Sequence, residues 1–346
     1  MAEPRRAAGT LVKVGELPVA LWPEHAHQAF RIHYQGMGYR GRPRLISGSV
    51  FIPAGAAPAT GWPVVGYAHG TCGLADKTAP SRTGFFRLER EFLSGWLRAG
   101  FAVAATDYEG LGTPGPHPYL DGVAAADDIV DAVRAARQLD APVDDQWFAV
   151  GYSQGGHAAL HAAAMATQYA PELRFNGTAA LAPVSYLREQ VDAKTALADG
   201  PVSAILPFIL VGLRAKHPHF DCRDHLDDMG DELADLAERG SLVELFKATK
   251  GLTNDDLGAT DIDSVPALAE ALATHEIPIA ALDRPLFIGQ GDADVSIRPH
   301  LTRRLATELE TAGTTIHYRR YDTADHASIL EHALDDAVAW TNTVTR

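Results

Sequence analysis

The strongest constraint on the fold is a regular alternation of short, mostly apolar runs with stretches of helical periodicity. The apolar runs lie at 63–70, 101–110, 147–153, 176–183, 285–291 and 315–322. Continuous apolar runs of this length are typical of strands buried on both faces, as in a parallel sheet covered by helices. The alternation therefore predicts an α/β protein with a mostly parallel, doubly wound sheet.

Two of the intervening stretches show a clear helical face. Their apolar residues, spaced three or four apart, are Phe85, Leu88, Phe92 and Trp96 in one stretch and Ile129, Val133 and Ala136 in the other. Two earlier runs, at 30–34 and 45–53, are rich in β-branched or aromatic residues and predict an antiparallel pair of opening strands. Ligands of open parallel sheets bind at the carboxyl ends of the strands, so functional residues are expected there.

The stretch from residue 185 to residue 282 breaks this alternation. It is acidic, punctuated by proline and mostly helix-forming, and it contains no clear buried strand. We predict that it forms a helical cap inserted into a core made of residues 1–184 and 283–346.

The charge balance excludes several classes of partner. Thirty basic and forty-four acidic residues give a net charge of −14, which repels nucleic-acid phosphates and anionic lipid surfaces.

The most apolar run, 201–213, contains Pro207 and is too short to cross a bilayer, so no integral membrane association is predicted. The first 25 residues contain no apolar segment typical of a signal peptide. This predicts a cytoplasmic protein, although a secreted protein whose leader was removed would look similar.

A serine surrounded by glycines ends the apolar run at 147–153. Gly151, Ser153 and Gly155 form the pattern G-x-S-x-G between a predicted strand and an alanine-rich helix. In a nucleophile elbow the chain turns so sharply that bulky neighbours would clash, and the hydroxyl is presented above the sheet. A glycine-rich turn before a helix would give the same five residues, so the assignment depends on finding a base and an acid.

Candidate acids follow the strand predicted at 285–291. Asp292 and Asp294 both lie on the loop after this strand, as the acid of a serine hydrolase of this order should. The spacing from Gly291 favours Asp294. Asp292 would then be a turn or cap residue, because aspartate readily bonds its own backbone.

The candidate base is one of fifteen histidines in the chain. His326 lies on the loop after the last predicted strand, whereas His332 lies further along a helix. We therefore predict Ser153 as nucleophile, His326 as base and Asp294 as the acid that orients the imidazole.

The same reaction needs backbone N–H groups to hold the negative charge that develops on the carbonyl oxygen. The elbow supplies one of them, the N–H of Gln154. The segment 68–73, AHGTCG, follows the third predicted strand and should supply the other, which we assign to Thr71 or an immediate neighbour. His69 and Gly70 would then lie close to the substrate, although a strand-ending turn accounts for the same pair.

Several segments together resemble the secretory lipase family of α/β-hydrolases, in its actinobacterial branch. The segments are HGTCGLADKTAPS, DYEGLGTPGPHPYLDG, GYSQGGHAAL, GQGDADVSIRP and DHASI. The resemblance covers nearly the whole chain. It implies the α/β-hydrolase fold with a helical cap and the hydrolysis of small-molecule esters with an acyl chain, and no cofactor is needed for that reaction. It also implies Ser153, Asp294 and His326 as the catalytic residues.

Further residues are candidates for substrate contact. Tyr108 and Glu109 would lie near the serine, although packing explains them equally well. Phe208 belongs to the cap run at 204–213, which could line an acyl channel together with the run at 246–252. Burial against the core accounts for both runs equally well.

The cysteines depart from the family's pattern. Thr78 stands before APS where the resemblance implies a cysteine, so the family's disulfide is not expected. We interpret Cys72 and Cys222 as free thiols.

The segment 216–225 suggests a metal site through His217, His219, Asp221, Cys222 and His225. A structural zinc site pairs ligands from two halves, and the sequence contains no matching second half. We therefore predict a solvated cap loop and no metal.

The favoured function is that of a serine carboxylic ester hydrolase that forms an acyl-enzyme. The same residues would serve acyl transfer to an alcohol, or hydrolysis of an amide or a small polyketide ester. A non-catalytic ligand receptor could also use this fold.

Overall fold

The computed structural model describes residues 8–258 and 265–345. Within this part of the chain, nine strands form one sheet: β1 (Leu11–Glu16), β2 (Ala26–Met37), β3 (Pro43–Pro53), β4 (Trp62–Ala68), β5 (Ala102–Thr106), β6 (Val143–Tyr152), β7 (Arg174–Leu181), β8 (Leu286–Gly291) and β9 (Ile316–Tyr321). Their order across the sheet is β1-β2-β3-β5-β4-β6-β7-β8-β9.

The sheet is mixed and mostly parallel. The pairs β1–β2, β2–β3 and β3–β5 are antiparallel, and every pair from β5–β4 to β8–β9 is parallel. Each of the predicted runs overlaps a strand, and the opening pair is antiparallel as predicted, with Phe30 opposite Val50. The predicted mostly parallel sheet is therefore confirmed.

The sequence pattern did not predict β1. Among the described residues this strand pairs only with β2, at the edge of the sheet. Its Val12 and Val14 are exposed, so no buried face marks the strand in the sequence.

The described residues contain eleven α-helices. They are α1 (Pro80–Thr83), α2 (Arg87–Arg98), α3 (Gly122–Ala136), α4 (Gln154–Tyr169), α5 (Leu187–Thr195), α6 (Leu206–Leu213), α7 (Asp228–Arg239), α8 (Leu242–Ala248), α9 (Pro266–Ala273), α10 (Pro299–Thr311) and α11 (Ile329–Val344).

Helices cover both faces of the sheet, as the predicted helical faces require. Trp96 of α2 and Ile129 of α3 are fully buried, but they belong to two different apolar clusters. Val64 and Val65, successive residues of β4, point into these two clusters because side chains alternate along a strand. The parallel strands are thus buried on both sides, and their carboxyl ends remain for the site.

Helices α5 to α9 lie between β7 and β8 in the chain, and we call residues 182–285 the β7–β8 segment. None of its described residues belongs to a strand of the sheet, in agreement with the helical character predicted for 185–282. The part of the predicted cap at 259–264 lies outside the described residues. The segment's apolar side chains form a cluster that also includes Tyr119 and Leu120 of the core.

The two apolar runs of this segment have different surroundings. Every residue of 204–213 except Ile205 is buried, which agrees with packing as the reason for this run. The run at 246–252 is mostly exposed, including 57% of Phe246. Burial against the core therefore does not explain the second run, and its place along an acyl channel stays a prediction.

None of the helices in the described part of the chain has the length and hydropathy of a membrane span.

Candidate active site

Ser153 lies at the turn between β6 and α4, at the carboxyl end of its strand. Its backbone has φ 55° and ψ −116°, a strained conformation for a residue with a Cβ. No residue with a side chain fits at the positions of the flanking glycines, Gly151 and Gly155. A Cβ on Gly151 would lie 2.0 Å from the carbonyl oxygen of Gly155, and a Cβ on Gly155 would lie 1.8 Å from that of Ala68. The turn has the geometry of a nucleophile elbow.

Ser153, His326 and Asp294 form a continuous hydrogen-bonded chain. The Ser153 hydroxyl donates to His326 Nε2 over 3.0 Å, and His326 Nδ1–H donates to Asp294 Oδ2 over 2.8 Å. Ser153 is 8% exposed, and the Asp294 side chain is fully buried. The structure thus brings together the three side chains that the sequence predicts, although His326 is 173 residues from the serine.

The loop after β8 holds Asp294 at both carboxylate oxygens. Oδ1 accepts hydrogen bonds from the N–H groups of Ser296 and Ile297, each at 2.8 Å. Oδ2 accepts a further bond from the Gln290 side chain at 3.1 Å. Gln290 was not predicted, although a polar residue near the end of a fully buried strand is a signal that could have indicated it.

The alternative acid, Asp292, has a different partner. Its carboxylate accepts two hydrogen bonds from the Arg320 guanidinium, at 2.9 and 2.7 Å. Its N–H donates to the carbonyl of Tyr321 at 3.0 Å and so ties the loop to the end of β9. Asp294, and not Asp292, is the carboxylate that meets His326.

The loop after β9 presents His326 to the serine. Asp325 Oδ1 accepts hydrogen bonds from the N–H groups of Ala327 and Ser328, at 3.1 and 2.8 Å, and these shape the turn into α11. The Tyr152 ring packs on the imidazole, with ring centres 5.1 Å apart. The His326 side chain is 23% exposed, so part of the imidazole is accessible to solvent.

Two backbone N–H groups lie on the elements expected to hold an oxyanion. Gln154 is the first residue of α4, so its N–H has no carbonyl one turn earlier to bond. Thr71 lies on the loop after β4, and its N–H meets no acceptor within residues 8–258 and 265–345. A Cβ on Gly155 would clash with the carbonyls of Ala68 and His69, so this loop begins directly beside the elbow.

The predicted substrate contacts His69, Gly70 and Tyr108 hold the backbone of the same loop. His69 is fully buried, and its Nδ1–H donates to the Gly70 carbonyl at 2.6 Å. The Tyr108 hydroxyl donates to the His69 carbonyl at 2.8 Å. Their contact with a substrate stays a prediction, since the bonds in the structure are to the loop itself.

Glu109 points into the opening strands. Its carboxylate accepts a hydrogen bond from the N–H of Tyr39 at 2.9 Å and pairs with Arg44 Nε at 3.2 Å. Its own N–H donates to Asp128 Oδ2 at 2.8 Å. These bonds favour the packing alternative over substrate contact, because both ends of the residue are occupied by structural partners.

Sequence reasoning missed His117 and Tyr119. The Gln154 side-chain amide donates to His117 Nε2 at 3.0 Å, and His117 Nδ1–H donates to the Glu109 carbonyl at 2.8 Å. Burial lowers the pKa of His117 to about 4, so this imidazole is neutral at pH 7. The Tyr119 hydroxyl lies 2.6 Å from the Thr71 hydroxyl. The glycine and proline residues of 107–122 predict a shaped loop, but not which side chains it turns inward.

Phe208 approaches the site from the β7–β8 segment. It lies on α6, is fully buried, and its ring centre is 6.3 Å from that of Tyr119. Because Tyr119 in turn meets Thr71, Phe208 is linked to the loop of the candidate oxyanion donor through one intermediate ring.

The segment 216–225 does not gather metal ligands. His217 Nε2 lies 3.2 Å from Nε2 of His275, outside this segment, and Cys222 is buried. Among the described residues there is no group of three or more His, Cys, Asp or Glu side chains suited to a metal ion. Cys72 and Cys222 are both free, which confirms their interpretation as thiols.

Fold and site together define the class of the protein. A mostly parallel sheet with helices on both faces, carrying a serine on an elbow and then an acid and a histidine after later strands, is the α/β-hydrolase fold. The sequence profile of the secretory lipase family matches residues 76–344. The chain belongs to this family.

Three similar proteins illustrate the relationship. A protein of Mycobacterium tuberculosis named probable inactive lipase is 25% identical over 329 residues, 90% of this chain and 72% of the relative. Lipase A of Moesziomyces aphidis is 25% identical over 347 residues, 92% of this chain and 72% of the relative. The crystal structure of the rice cell wall degrading esterase LipA from Xanthomonas oryzae has a TM-score of 0.79 at 20% identity, over 97% of this chain and 98% of that one. The last likeness supports the fold alone.

Proposed function

We propose that this protein is a serine hydrolase that cleaves carboxylic esters through an acyl-enzyme. The observation that carries the proposal is the hydrogen-bonded chain from Ser153 through His326 to Asp294, with distances of 3.0 and 2.8 Å. A serine hydroxyl is a weak nucleophile until a base removes its proton, and an imidazole held by a carboxylate is suited to that task.

In the first half-reaction Ser153 Oγ attacks the ester carbonyl carbon while His326 Nε2 takes the hydroxyl proton. Asp294 holds the Nδ1–H tautomer and stabilises the imidazolium that forms. The N–H groups of Gln154 and Thr71 hold the oxyanion of the tetrahedral intermediate. The bond to the leaving oxygen then breaks, His326 gives its proton to that oxygen, and an alcohol departs from the acyl-enzyme.

In the second half-reaction a water molecule takes the place of the alcohol. His326 removes a proton from the water as its oxygen attacks the acyl carbon, and a second tetrahedral intermediate forms with the same two N–H donors. When this intermediate collapses, the bond to Ser153 Oγ breaks and the proton on His326 returns to the serine. The products are a carboxylic acid and the free enzyme.

We further propose that the β7–β8 segment acts as a cap that selects the acyl chain. One direct contact to the loop after β4, and one made through Tyr119, support this role. Phe208 packs on Tyr119, which meets Thr71, and the Leu242 N–H donates to the Cys72 carbonyl at 2.9 Å. A ligand bound at Ser153 would therefore lie next to the apolar side chains of this segment.

A non-catalytic ligand receptor is the second candidate, because one relative is named a probable inactive lipase. The hydrogen bond between Ser153 and His326 favours the hydrolase, since binding alone does not require a base on the serine. Acyl transfer to an alcohol, and hydrolysis of an amide or a polyketide ester, would use the same three residues and differ only in the substrates tested.

The decisive experiment combines turnover with active-site labelling. Wild type should hydrolyse p-nitrophenyl esters, with a preference along the chain-length series, and a fluorophosphonate should label Ser153. Ser153→Ala should lose at least about 10³-fold in kcat and take no label. Ser94→Ala, on α2, is the matched control and should keep both properties. Folded wild-type protein that neither hydrolyses these esters nor takes the label would contradict the proposal and favour the receptor.

A further inference from the structure

The peptide group between His69 and Gly70 is held at both ends. Its carbonyl oxygen accepts a hydrogen bond from the Tyr108 hydroxyl at 2.8 Å, and its N–H donates to Glu89 Oε1 at 2.9 Å. Tyr108 follows β5 and Glu89 belongs to α2, so two separate elements hold this peptide. Its plane cannot rotate without breaking one of two buried hydrogen bonds.

The next peptide group carries the N–H that we propose binds the oxyanion. Its carbonyl, that of Gly70, accepts a hydrogen bond from His69 Nδ1–H, and its N–H belongs to Thr71. Gly70 is the hinge between the two peptide groups, and glycine restricts its own dihedral angles less than any other residue. A Cβ at Gly70 would lie 2.8 Å from the Tyr152 ring, so a residue with a side chain and a less flexible backbone would clash at this position. The direction of the Thr71 N–H therefore depends on groups bonded to its neighbours.

Glu89 is buried without an ion pair. It is 3% exposed, and no basic side chain of the described residues lies within ion-pair distance of its carboxyl group. Its Oε1 accepts a second hydrogen bond, from the Tyr67 hydroxyl at 2.8 Å. Burying a carboxyl group without a cation costs free energy, and an apolar side chain would fill the same space at lower cost. The hydrogen bonds of Glu89, and not its packing, explain its presence.

We propose that Glu89 is a positioning residue for ester hydrolysis, which holds the Gly70 N–H and thereby directs the Thr71 N–H toward the oxyanion. The inference rests on the proposed function and adds a residue outside the chain of Ser153, His326 and Asp294. Preorganised donors stabilise the transition state because they need no reorganisation during the reaction. A loosened loop should therefore lower kcat more than it weakens substrate binding.

Three variants separate this role from a structural one. In Glu89→Ala the acceptor is lost, and kcat should fall about 10- to 100-fold with KM changed less than about threefold, because complete loss of one oxyanion donor costs about 10²- to 10³-fold. Glu89→Gln keeps a carbonyl oxygen that accepts both bonds, so it should retain kcat within about threefold. Tyr67→Phe removes only the second bond to the same oxygen and should also stay within about threefold.

The measurements are kcat and KM on the best p-nitrophenyl ester, with circular dichroism to verify folding. Wild-type kcat in Glu89→Ala would overturn the proposal. So would an equal loss in Tyr67→Phe, which would place the effect in the core, or an equal loss in Glu89→Gln, which would point to charge instead of the hydrogen bond.

If Glu89→Ala does not fold, a variant at the other end of the same peptide group tests the proposal instead. Tyr108→Phe removes the bond to the His69 carbonyl, and we expect about a tenfold loss of kcat; an unchanged kcat would overturn the proposal. An inactive wild type would contradict the proposed function and this inference together. An active wild type with an unaffected Glu89→Ala would contradict this inference alone.

Discussion

The carboxyl ends of the parallel strands and the β7–β8 segment are held in place by different forces. At the strand ends, hydrogen bonds fix single atoms: Asp294 Oδ1 meets two backbone N–H groups at 2.8 Å, and Oδ2 meets His326 at 2.8 Å. In the β7–β8 segment, fully buried side chains such as Phe208 form an apolar cluster, and ion pairs such as Arg223–Asp235 lie nearer the surface.

The difference separates two tasks. Hydrogen bonds are directional and position a nucleophile and its base within the narrow limits that proton transfer needs. Apolar burial has no direction, and a core of this kind tolerates exchange of one hydrophobic side chain for another of similar volume. We infer that the strand ends determine the reaction and that the β7–β8 segment determines which ester is accepted.

The largest effect on activity should come from a change at the carboxyl ends of the strands, where hydrogen bonds position the side chains. Asp294→Asn preserves the size of the side chain but removes the carboxylate that holds the His326 tautomer, so kcat should fall about 10⁴-fold. Asp292→Asn loses only a surface pair with Arg320 and should stay within about twofold. Steady-state kinetics on a p-nitrophenyl ester compare the two, and the opposite ranking would show that the wrong acid has been assigned.

A change in the apolar cluster should reduce stability. Phe208→Ala removes a fully buried ring, and the free energy of unfolding should fall by about 3–5 kcal/mol. Phe246→Ala is the control within the same segment, because that ring is 57% exposed and its loss should change stability by less than about 0.5 kcal/mol. Urea denaturation measures both. Equal effects would mean that the buried cluster does not stabilise the segment.

The smallest of these effects concerns the junction between the two regions. His157 of α4 and His275 of the β7–β8 segment both bond the carbonyl of Leu120, over 3.2 and 2.7 Å. Burial lowers the pKa of His157 to about 4, and it also lowers the pKa of His275. The junction is therefore built from imidazoles that are neutral in the folded protein at pH 7.

The pKa shift of His157 sets the sign of a pH effect. The unfolded chain binds a proton on His157 below about pH 6.5, whereas the folded chain does not until the pH approaches 4. Acid therefore favours unfolding, and between pH 7 and pH 5 this residue alone should remove about 2 kcal/mol of stability. His157→Gln can donate to the Leu120 carbonyl, and to the Val184 carbonyl that lies 3.0 Å from His157 Nδ1, without titrating. Its loss of stability over that range should therefore be about 2 kcal/mol smaller. Urea denaturation at the two pH values measures the free energy of unfolding of wild type and of His157→Gln. If both proteins lost the same amount between pH 7 and pH 5, the pH effect would not come from His157.

Much of the fold could be predicted from the sequence because its central strands are buried on both faces. Burial on both sides, as at Val64 and Val65, leaves a continuous apolar run that stands out against neighbouring helices. The edge strand β1 could not be predicted in this way, since its valines face solvent. The run at 246–252 shows the opposite error, in which apolar residues suggest burial that the structure does not contain. Most of this run is exposed.

The predictable part of the site has local signals. Ser153 lies between glycines that the turn requires, and Asp294 and His326 each follow a strand end. Glu89 has no such signal, because on α2 it is one polar residue among several in an amphipathic helix. The structural role of Glu109 has no such signal either, since its partner Arg44 comes from a strand far away in the chain.

By itself the sequence determined the alternation of buried strands with helices and a short set of candidates for nucleophile, base and acid, because these depend on spacing within a few residues. Only the tertiary structure decided that Asp294 and not Asp292 meets His326, and that Glu89 and Tyr108 hold the peptide before Thr71. The physical reason is that a hydrogen bond forms between atoms about 3 Å apart in space, and packing alone brings residues from distant parts of the chain to that distance.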